Sequence, residues 1–348
     1  MEKGQPFVSV IIVNHNGIEF VDTCLSSVLS SNYSNFEVIF VDNASTDASL
    51  KYVRNTFGSD TRLRFVVNLG SFGPAVGRNK GIAIARGEYV AFLDNDTEVD
   101  KEWLNELVKI LDLDFTIGAA QSKLLRMDSR NVFDYAGDYL TPFGFLSERA
   151  RGGSDLGQFD FICDIFSAKS ASSIIRKSLL DKIGGFDENY YMYLEETDLC
   201  WRVWLAGYRV VFIPKSVVYH AYGTKIKSKA AYYPDYVVKY YGCRNYISTL
   251  IKNLSFLSLI KIFPLHVLSW ACLSLMFISK RKFRNAFWII KANLWNAAHL
   301  LTLLKKRNFI QNNIRRVKDA KIMGKIMISK SLIYYIGKSV SYIYGRPY

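Results

Sequence analysis

Two short segments concentrate acids in patterns that suit chemistry. FLDNDTEVD, residues 92–100, sets Asp94 and Asp96 one residue apart directly after an apolar run. In extended backbone, side chains at i and i+2 point to the same side. The two carboxylates can therefore converge on one hard divalent cation, Mg or Mn, which would neutralise a diphosphate. A turn followed by a helix cap would use the same residue types. MYLEETDLCWR, residues 192–202, crowds Glu195, Glu196 and Asp198 into four positions among aromatic residues. One of these acids is expected to act as a general base on a substrate hydroxyl, with the other two supporting it. Helix electrostatics offers the alternative: acids favour a first turn, and Asp198 lies i,i+4 from Arg202.

Three further segments could complete a site. In VDNASTD (41–47), Asp42 and Asp47 can accept from a base N–H and a ribose hydroxyl, while Ser45 or Asp47 can equally cap the following helix. NLGSFGPAVGRNKG (68–81) supplies Gly70, Gly73 and Gly77, where backbone can approach a phosphate, and Arg78 as a forked donor. It has neither the G-K-[ST] ending of a P-loop nor G-x-G-x-x-G spacing. His220, in VVYHAYG, is either a metal ligand or a structural strand histidine. His15 reads as a packing or nucleoside-edge residue, and His266 and His299 fall in apolar surroundings.

These residues sit at the ends of regular elements. The apolar, β-rich runs 8–13, 36–41, 62–67 and 88–93 alternate with helical patterns at 18–30, 46–57 and 73–86, the rhythm of a parallel sheet covered by helices on both faces. Such sheets bind ligands at the carboxyl ends of their strands. Here each run ends in polar residues: Asn14–His15–Asn16, Asp42–Asn43, Asn68 and Asp94–Asn95–Asp96. A mixed stretch, 114–176, is expected to add strands and an acceptor-facing loop. After it come a helix at 177–183, the GGFDE turn, the acidic segment with a helix to about residue 206, and strands RVVFIP and VVYHAY.

Composition separates a second part. Residues 221–348 carry 23 Lys+Arg against 2 Asp+Glu, while the remainder is net acidic. The basic residues alternate with the apolar runs 254–278 and 286–304, and no zinc-finger, RNA-recognition or basic-zipper signature accompanies them. An anionic membrane surface suits this pattern and nucleic acid does not. A single span at 254–278 would export the basic tail and a two-span hairpin would export SKRKFR, so in-plane or re-entrant helices on the cytoplasmic face are expected. The amino terminus has no signal-peptide pattern, and the five cysteines form no C-x-x-C pair, which fits a reducing compartment. The expected domains are 1–222 and 223–348.

The ensemble of motifs over residues 8 to about 222 resembles the family 2 glycosyltransferases of GT-A fold. The matching segments are V-S-V-I-I-V-N-H-N-G, V-D-N-A-S-T-D, N-x-G-x-x-G…G-R-N-x-G, L-D-N-D as a D-x-D motif, and G-G-F-D-E…Y-x-E-E-x-D-L-C-W-R. The resemblance implies a Rossmann-like mixed α/β sheet and an inverting transfer from a UDP- or dTDP-sugar to a hydroxyl of a glycan or polyprenyl-linked acceptor. Asp42 and Asp47 would hold the nucleoside, and Val13, Asn14, Gly70, Arg78, Asn79, Asp94 and Asn95 would complete the donor face. Asp94, Asp96 and His220 would hold the metal. Glu196 would be the base, with a pKa raised by its setting, and Tyr190, Tyr191 and Tyr193 would wall the acceptor.

Within the family the chain looks like the rhamnosyltransferase-like branch, for which dTDP-rhamnose is a candidate donor. FDYAGDYLTPFGF matches its A-G-G-x-x-x-x-x-G segment with Asp138 in place of the second Gly, and RNYISTLIKN and RNFIQNNIRRVKDA match its basic C-terminal elements. Where the family shows E-D-x-D, this chain has E-E-x-D. The rival readings are a sugar nucleotidyltransferase, whose Gly-rich basic loop after the first strand is missing, and a catalytically inactive sugar-nucleotide-binding scaffold.

Overall fold

The computed structural model describes residues 4–70, 72–221, 234–331, 333–335, 337–338 and 340. The chain forms two compact units: Met1–Asp138 with Glu148–Thr224, and Tyr139–Ser147 with Lys225–Tyr348. The boundary expected at 222/223 lies outside the described residues.

The first unit opens with the expected alternation: β1 (Val8–Asn14), α1 (Val21–Leu29), β2 (Phe36–Asn43), α2 (Ser49–Phe57), β3 (Leu63–Asn68), α3 (Pro74–Ile84) and β4 (Tyr89–Asp94). β1 pairs in parallel with β2 and β4, and β2 with β3. Alternate residues of β1 serve opposite faces. Val8, Val10 and Ile12 join the core packed by Val21, Leu25 and Val28 of α1, whereas Ile11 and Val13 press on α3. A Cβ at Gly81 would lie 2.6 Å from Ile11, and one at Gly77 would lie 2.8 Å from Val13. Gly77 is therefore needed for helix–strand approach, correcting the expectation that it bares backbone to a phosphate.

Up to His220 the further elements are β5 (Thr97–Val99), α4 (Trp103–Leu113), β6 (Ile117–Arg126), β7 (Phe133–Tyr135), β8 (Asp138–Leu140), β9 (Leu146–Glu148), β10 (Cys163–Asp164), β11 (Ser172–Arg176), α5 (Lys177–Ile183), α6 (Glu195–Leu205) and β12 (Arg209–His220), of which β8 and β9 lie largely in the Tyr139–Ser147 segment of the second unit. The main sheet runs β10-β12-β6-β11-β4-β1-β2-β3, with β5 on β12 and β7 on β6. β11 is antiparallel to both neighbours, so the sheet is mixed beyond β4. RVVFIP and VVYHAY, expected as two strands, form the single β12 among the described residues. Pro214 has no N–H to give the ladder, and the register with β6 shifts between Ile213 and Val217.

In the second unit, α7 (Asp235–Asn253), α8 (Phe256–Ser279) and α9 (Phe283–Ala298) share a core of Tyr240, Cys243, Ile247, Trp270, Phe277, Ile289 and Leu303. The apolar run 286–304 is not one helix: it breaks at His299 and resumes as α10 (Leu300–Phe309). The side of α8 away from this core exposes Leu257, Ile260, Leu265, Leu268 and Leu275, and α9 exposes Phe287, Ile290 and Leu294. By length and composition alone, α8 is apolar enough to cross a membrane.

Candidate active site

The parallel registers align Asn14 with Asp42 and Val13 with Asp94, so three strand ends meet. Asn14 knits them together. Its buried amide donates to Asp42 (3.2 Å), Ser45 (3.0 Å) and Ser49 (2.8 Å), and its oxygen accepts from Asn95 at 2.7 Å. Asp42 also accepts from the Ser45 N–H. Both oxygens of Asp47 are used within the chain, one by the Ile18 N–H and the other by Ser49 at the start of α2. Capping, the alternative reading of Asp47, is thus its visible role. His15 accompanies this edge through Nδ1 and the Asn43 carbonyl, 3.0 Å apart.

The glycine loop departs from expectation at two residues. Arg78 is buried, and its fork is spent on carboxylates rather than left open for a phosphate: Nη1 donates to Glu195 at 2.9 Å and Nη2 to Asp94 at 3.1 Å. It joins the end of β4 to the start of α6. The amide of Asn79 is closed by the 186–188 turn, donating to the Phe186 carbonyl and Glu188 and accepting the Phe186 N–H, so Asn79 positions that turn instead of facing a donor. Gly73 has φ +83°, and a Cβ there would lie 2.4 Å from the Tyr191 carbonyl oxygen. Gly70 packs beside Phe72, whose ring is 2.8 Å from where a Cβ would stand.

β5 pairs antiparallel with β12 and sets His220 opposite Thr97, beside the turn after β4. Asp94, Asp96 and His220 each offer a ligand atom, and the three atoms lie within 4.8 Å of one another. Two carboxylates and one imidazole suit Mg or, with the nitrogen ligand, Mn. His220 Nε2 is 3.3 Å from Asp96, and Nδ1 is 2.8 Å from Asp134.

The acidic segment follows a strained turn. Tyr191, Tyr193 and Leu194 all have φ between 60° and 66°, a region bulky L-residues avoid, at roughly 1–3 kcal/mol each. This turn delivers Glu195 and Glu196 to the first turn of α6. Asp198 is buried and pairs with Arg202 at 3.2 Å, while Arg202 also donates to the carbonyls of Ile183, Gly184 and Gly185. Those bonds hold the end of α5 and the Gly-Gly turn, so the i,i+4 pair foreseen for Asp198 is structural. Tyr190 is buried and cannot wall an acceptor; Tyr193 is 40% exposed.

The electrostatics of the glutamates reverse one expectation. Burial, reinforced by the neighbouring Glu196 charge, pushes Glu195 up to about 8 against the pull of Arg78, which it shares with Asp94. One carboxylate oxygen of Glu195 is buried with no hydrogen-bond partner, as suits a group that keeps a proton. For Glu196 burial also raises the pKa, but Lys169, Arg78 and the Ser170 N–H outweigh it and hold the side chain below the ordinary value. Glu196, half-buried, is the ionised member of the pair. Lys169 and Asp134 escape detection in the sequence because the residues they serve lie 27 and 86 positions away. Asp138 is fully buried and accepts from Tyr135 and Ser167.

The Glycosyl transferase family 2 domain model matches residues 9–184. The amylovoran biosynthesis glycosyltransferase AmsB of Erwinia amylovora is 27% identical over 233 residues, covering 65% of this chain and 74% of AmsB. The matched segments span only 25%, 42% and 44% of the length of three other curated relatives. Among solved structures, S. aureus TarS 1-349 in complex with UDP-GlcNAc superposes with TM-score 0.58 at 19% identity, covering 98% of this chain and 93% of that one. The mannosyltransferase PcManGT from Pyrobaculum calidifontis, in complex with GDP-Man and Mn²⁺, gives 0.54 at 19% identity, covering 99% and 88%. Both share the fold.

Proposed function

The chain belongs to glycosyl transferase family 2, and on that premise we propose that it transfers a sugar, with inversion, from a nucleotide-sugar donor to a hydroxyl of a glycan or polyprenyl-linked acceptor. One observation carries this reading. The cluster Asp94, Asp96 and His220 is tied through Arg78 to the glutamate pair at the start of α6, so a diphosphate-binding corner and a proton acceptor share one site. We propose a UDP- or dTDP-sugar as donor, with dTDP-rhamnose a candidate on the branch resemblance. The part of AmsB in amylovoran biosynthesis supports a glycan acceptor.

The cluster fits a divalent cation, Mg or Mn, which when bound would supply positive charge opposite a departing diphosphate. The chain's own residues do the rest. Asn14 and Asn95 hold the strand ends in register, so the nucleoside meets a fixed edge that includes Val13, Asp42 and Asn43. Arg78 offsets the charge of Asp94 and holds the protonated Glu195, while Lys169 and Arg78 together keep Glu196 ionised and partly accessible. In the transfer step Glu196 takes the acceptor O–H proton, the new C–O bond forms at the anomeric carbon, and the bond to the diphosphate breaks. Inversion follows from this single displacement.

A thermal-shift screen of UDP-, dTDP- and GDP-sugars tests the reading. One sugar nucleotide is expected to raise Tm in Mn²⁺ and not in EDTA, and to be consumed when acceptor is added. A chain stabilised by a sugar nucleotide that it neither transfers nor hydrolyses would instead be an inactive binding scaffold.

We further propose that the second unit lies against the cytoplasmic membrane face. The apolar stripes of α8 and α9 flank Lys280, Arg281, Lys282 and Arg284, the arrangement of in-plane helices on an anionic surface. The full chain is expected to float with anionic vesicles, and less so when Leu268→Glu and Phe287→Glu are combined. Labelling of residues 279–285 from outside intact cells would overturn the topology. A full chain that stays in solution beside such vesicles would overturn attachment.

A further inference from the structure

β7 is only three residues long, yet it places a buried acid behind the metal cluster. Its antiparallel register with β6 sets Tyr135 opposite Leu124 and Phe133 opposite Leu125, while β12 runs along β6 with His220 opposite Arg126. Asp134 and His220, 86 residues apart, thereby meet: Oδ2 lies 2.8 Å from Nδ1, with side chains 11% and 8% exposed. The other ring nitrogen, Nε2, faces Asp96 at 3.3 Å.

We propose that Asp134 is the positioning residue of the metal site, holding the His220 ring so that Nε2 presents its lone pair to the space shared with Asp94 and Asp96. A neutral imidazole has one donor and one acceptor nitrogen, and an ionised carboxylate can only accept. With Asp134 accepting from Nδ1–H, the acceptor nitrogen must be Nε2. Without this contact nothing keeps the proton on Nδ1, and a proton placed on Nε2 instead removes a ligand. A carboxylate behind a ligating histidine also raises the basicity of the ring and fixes its orientation. Among the described residues the Asp134 carboxylate meets the His220 ring, and the role inferred for it acts through that ring. The inference rests on reading Asp94, Asp96 and His220 as the metal site.

The test uses the full chain and Mn²⁺ alone, with free ion counted by electron paramagnetic resonance and histidine coordination read from nitrogen hyperfine coupling in the spin-echo spectrum. Asp134→Ala is expected to weaken Mn²⁺ binding about 10- to 100-fold, the usual cost of losing such a partner, and to erase the nitrogen coupling. Asp134→Asn keeps an acceptor oxygen and is expected to retain the coupling and most of the affinity, a rescue that simple loss of packing would not give. Asp134→Leu, of similar volume and without an acceptor, substitutes for the alanine variant if that one fails to fold. Parent-like affinity and coupling in Ala or Leu would overturn the proposal, as would an Asn variant as damaged as they are. A parent protein that binds no Mn²⁺, or binds it without nitrogen coupling, would overturn the metal-site reading itself, and this inference with it.

Discussion

Glu196→Gln is expected to lower sugar transfer by about a hundred- to ten-thousand-fold, the usual worth of a general base, while leaving donor and Mn²⁺ binding intact. A sugar hydroxyl is a poor nucleophile, and the group that takes its proton must start ionised and within reach. Glu196 meets both conditions, because Lys169, Arg78 and the Ser170 N–H keep it charged and its side chain is only half-buried. Glu195 meets neither: it is 3% exposed, locked to Arg78, and pushed up to about 8. If Glu195→Gln abolished transfer while Glu196→Gln ran at the parent rate, the base would be Glu195.

Stability offers a second way to tell the two acids apart. A carboxyl whose folded pKa is about 8, against an ordinary 4.5, binds its proton more tightly in the native state. Between those values the native chain holds a proton that the unfolded chain has lost, so raising pH through this window destabilises the parent. Glutamine cannot lose that proton. The Tm of Glu195→Gln relative to the parent should therefore rise as pH moves from about 4.5 to above 8. For Glu196, whose pKa is lowered, the same comparison should not move in favour of glutamine.

The second large effect is expected at Asp94 and Asp96, where Asn in either position should cut turnover by orders of magnitude, as should EDTA on the parent. Two phosphates entering a corner that already holds Asp94, Asp96 and the ionised Glu196 meet repulsion unless a cation intervenes, and such an ion is worth several kcal/mol of charge stabilisation. The two variants should differ in stability. Asp94→Asn also takes a charged partner from the buried Arg78, a loss of about 1–3 kcal/mol, whereas Asp96 faces His220 and is 25% exposed. Calorimetric titration with the donor, with and without Mn²⁺, together with a melting curve, separates the two losses. Full activity of either variant in EDTA would end the metal assignment.

Much of the site could be read from the chain because its parts are local. Asp94 and Asp96 share a turn, Asp198 and Arg202 share a helix face, and the polar ends of β1 to β4 follow from apolar runs that stop abruptly. What failed were inferences about the surroundings of a residue. Arg78 and Asn79 sit in a glycine-rich loop that looks made for phosphate, yet their partners, Glu195 and the 186–188 turn, lie more than a hundred residues away. The raised pKa was expected one residue too far along, because neighbouring acids and aromatics are visible in sequence and Lys169 is not visible as a neighbour.

Periodicity and spacing within about ten residues were enough to read the β/α alternation, the strand-end polar cluster, the acidic pair at the end of β4 and the acid-rich start of α6. The folded sheet was needed to see that β11 inserts antiparallel between β4 and β6, that β12 carries His220 back to Asp96, and that β7 sets Asp134 behind it. Those outcomes depend on strand order and register. Register is chosen by packing over the whole sheet, because shifting a strand by one residue exchanges every side chain between its two faces.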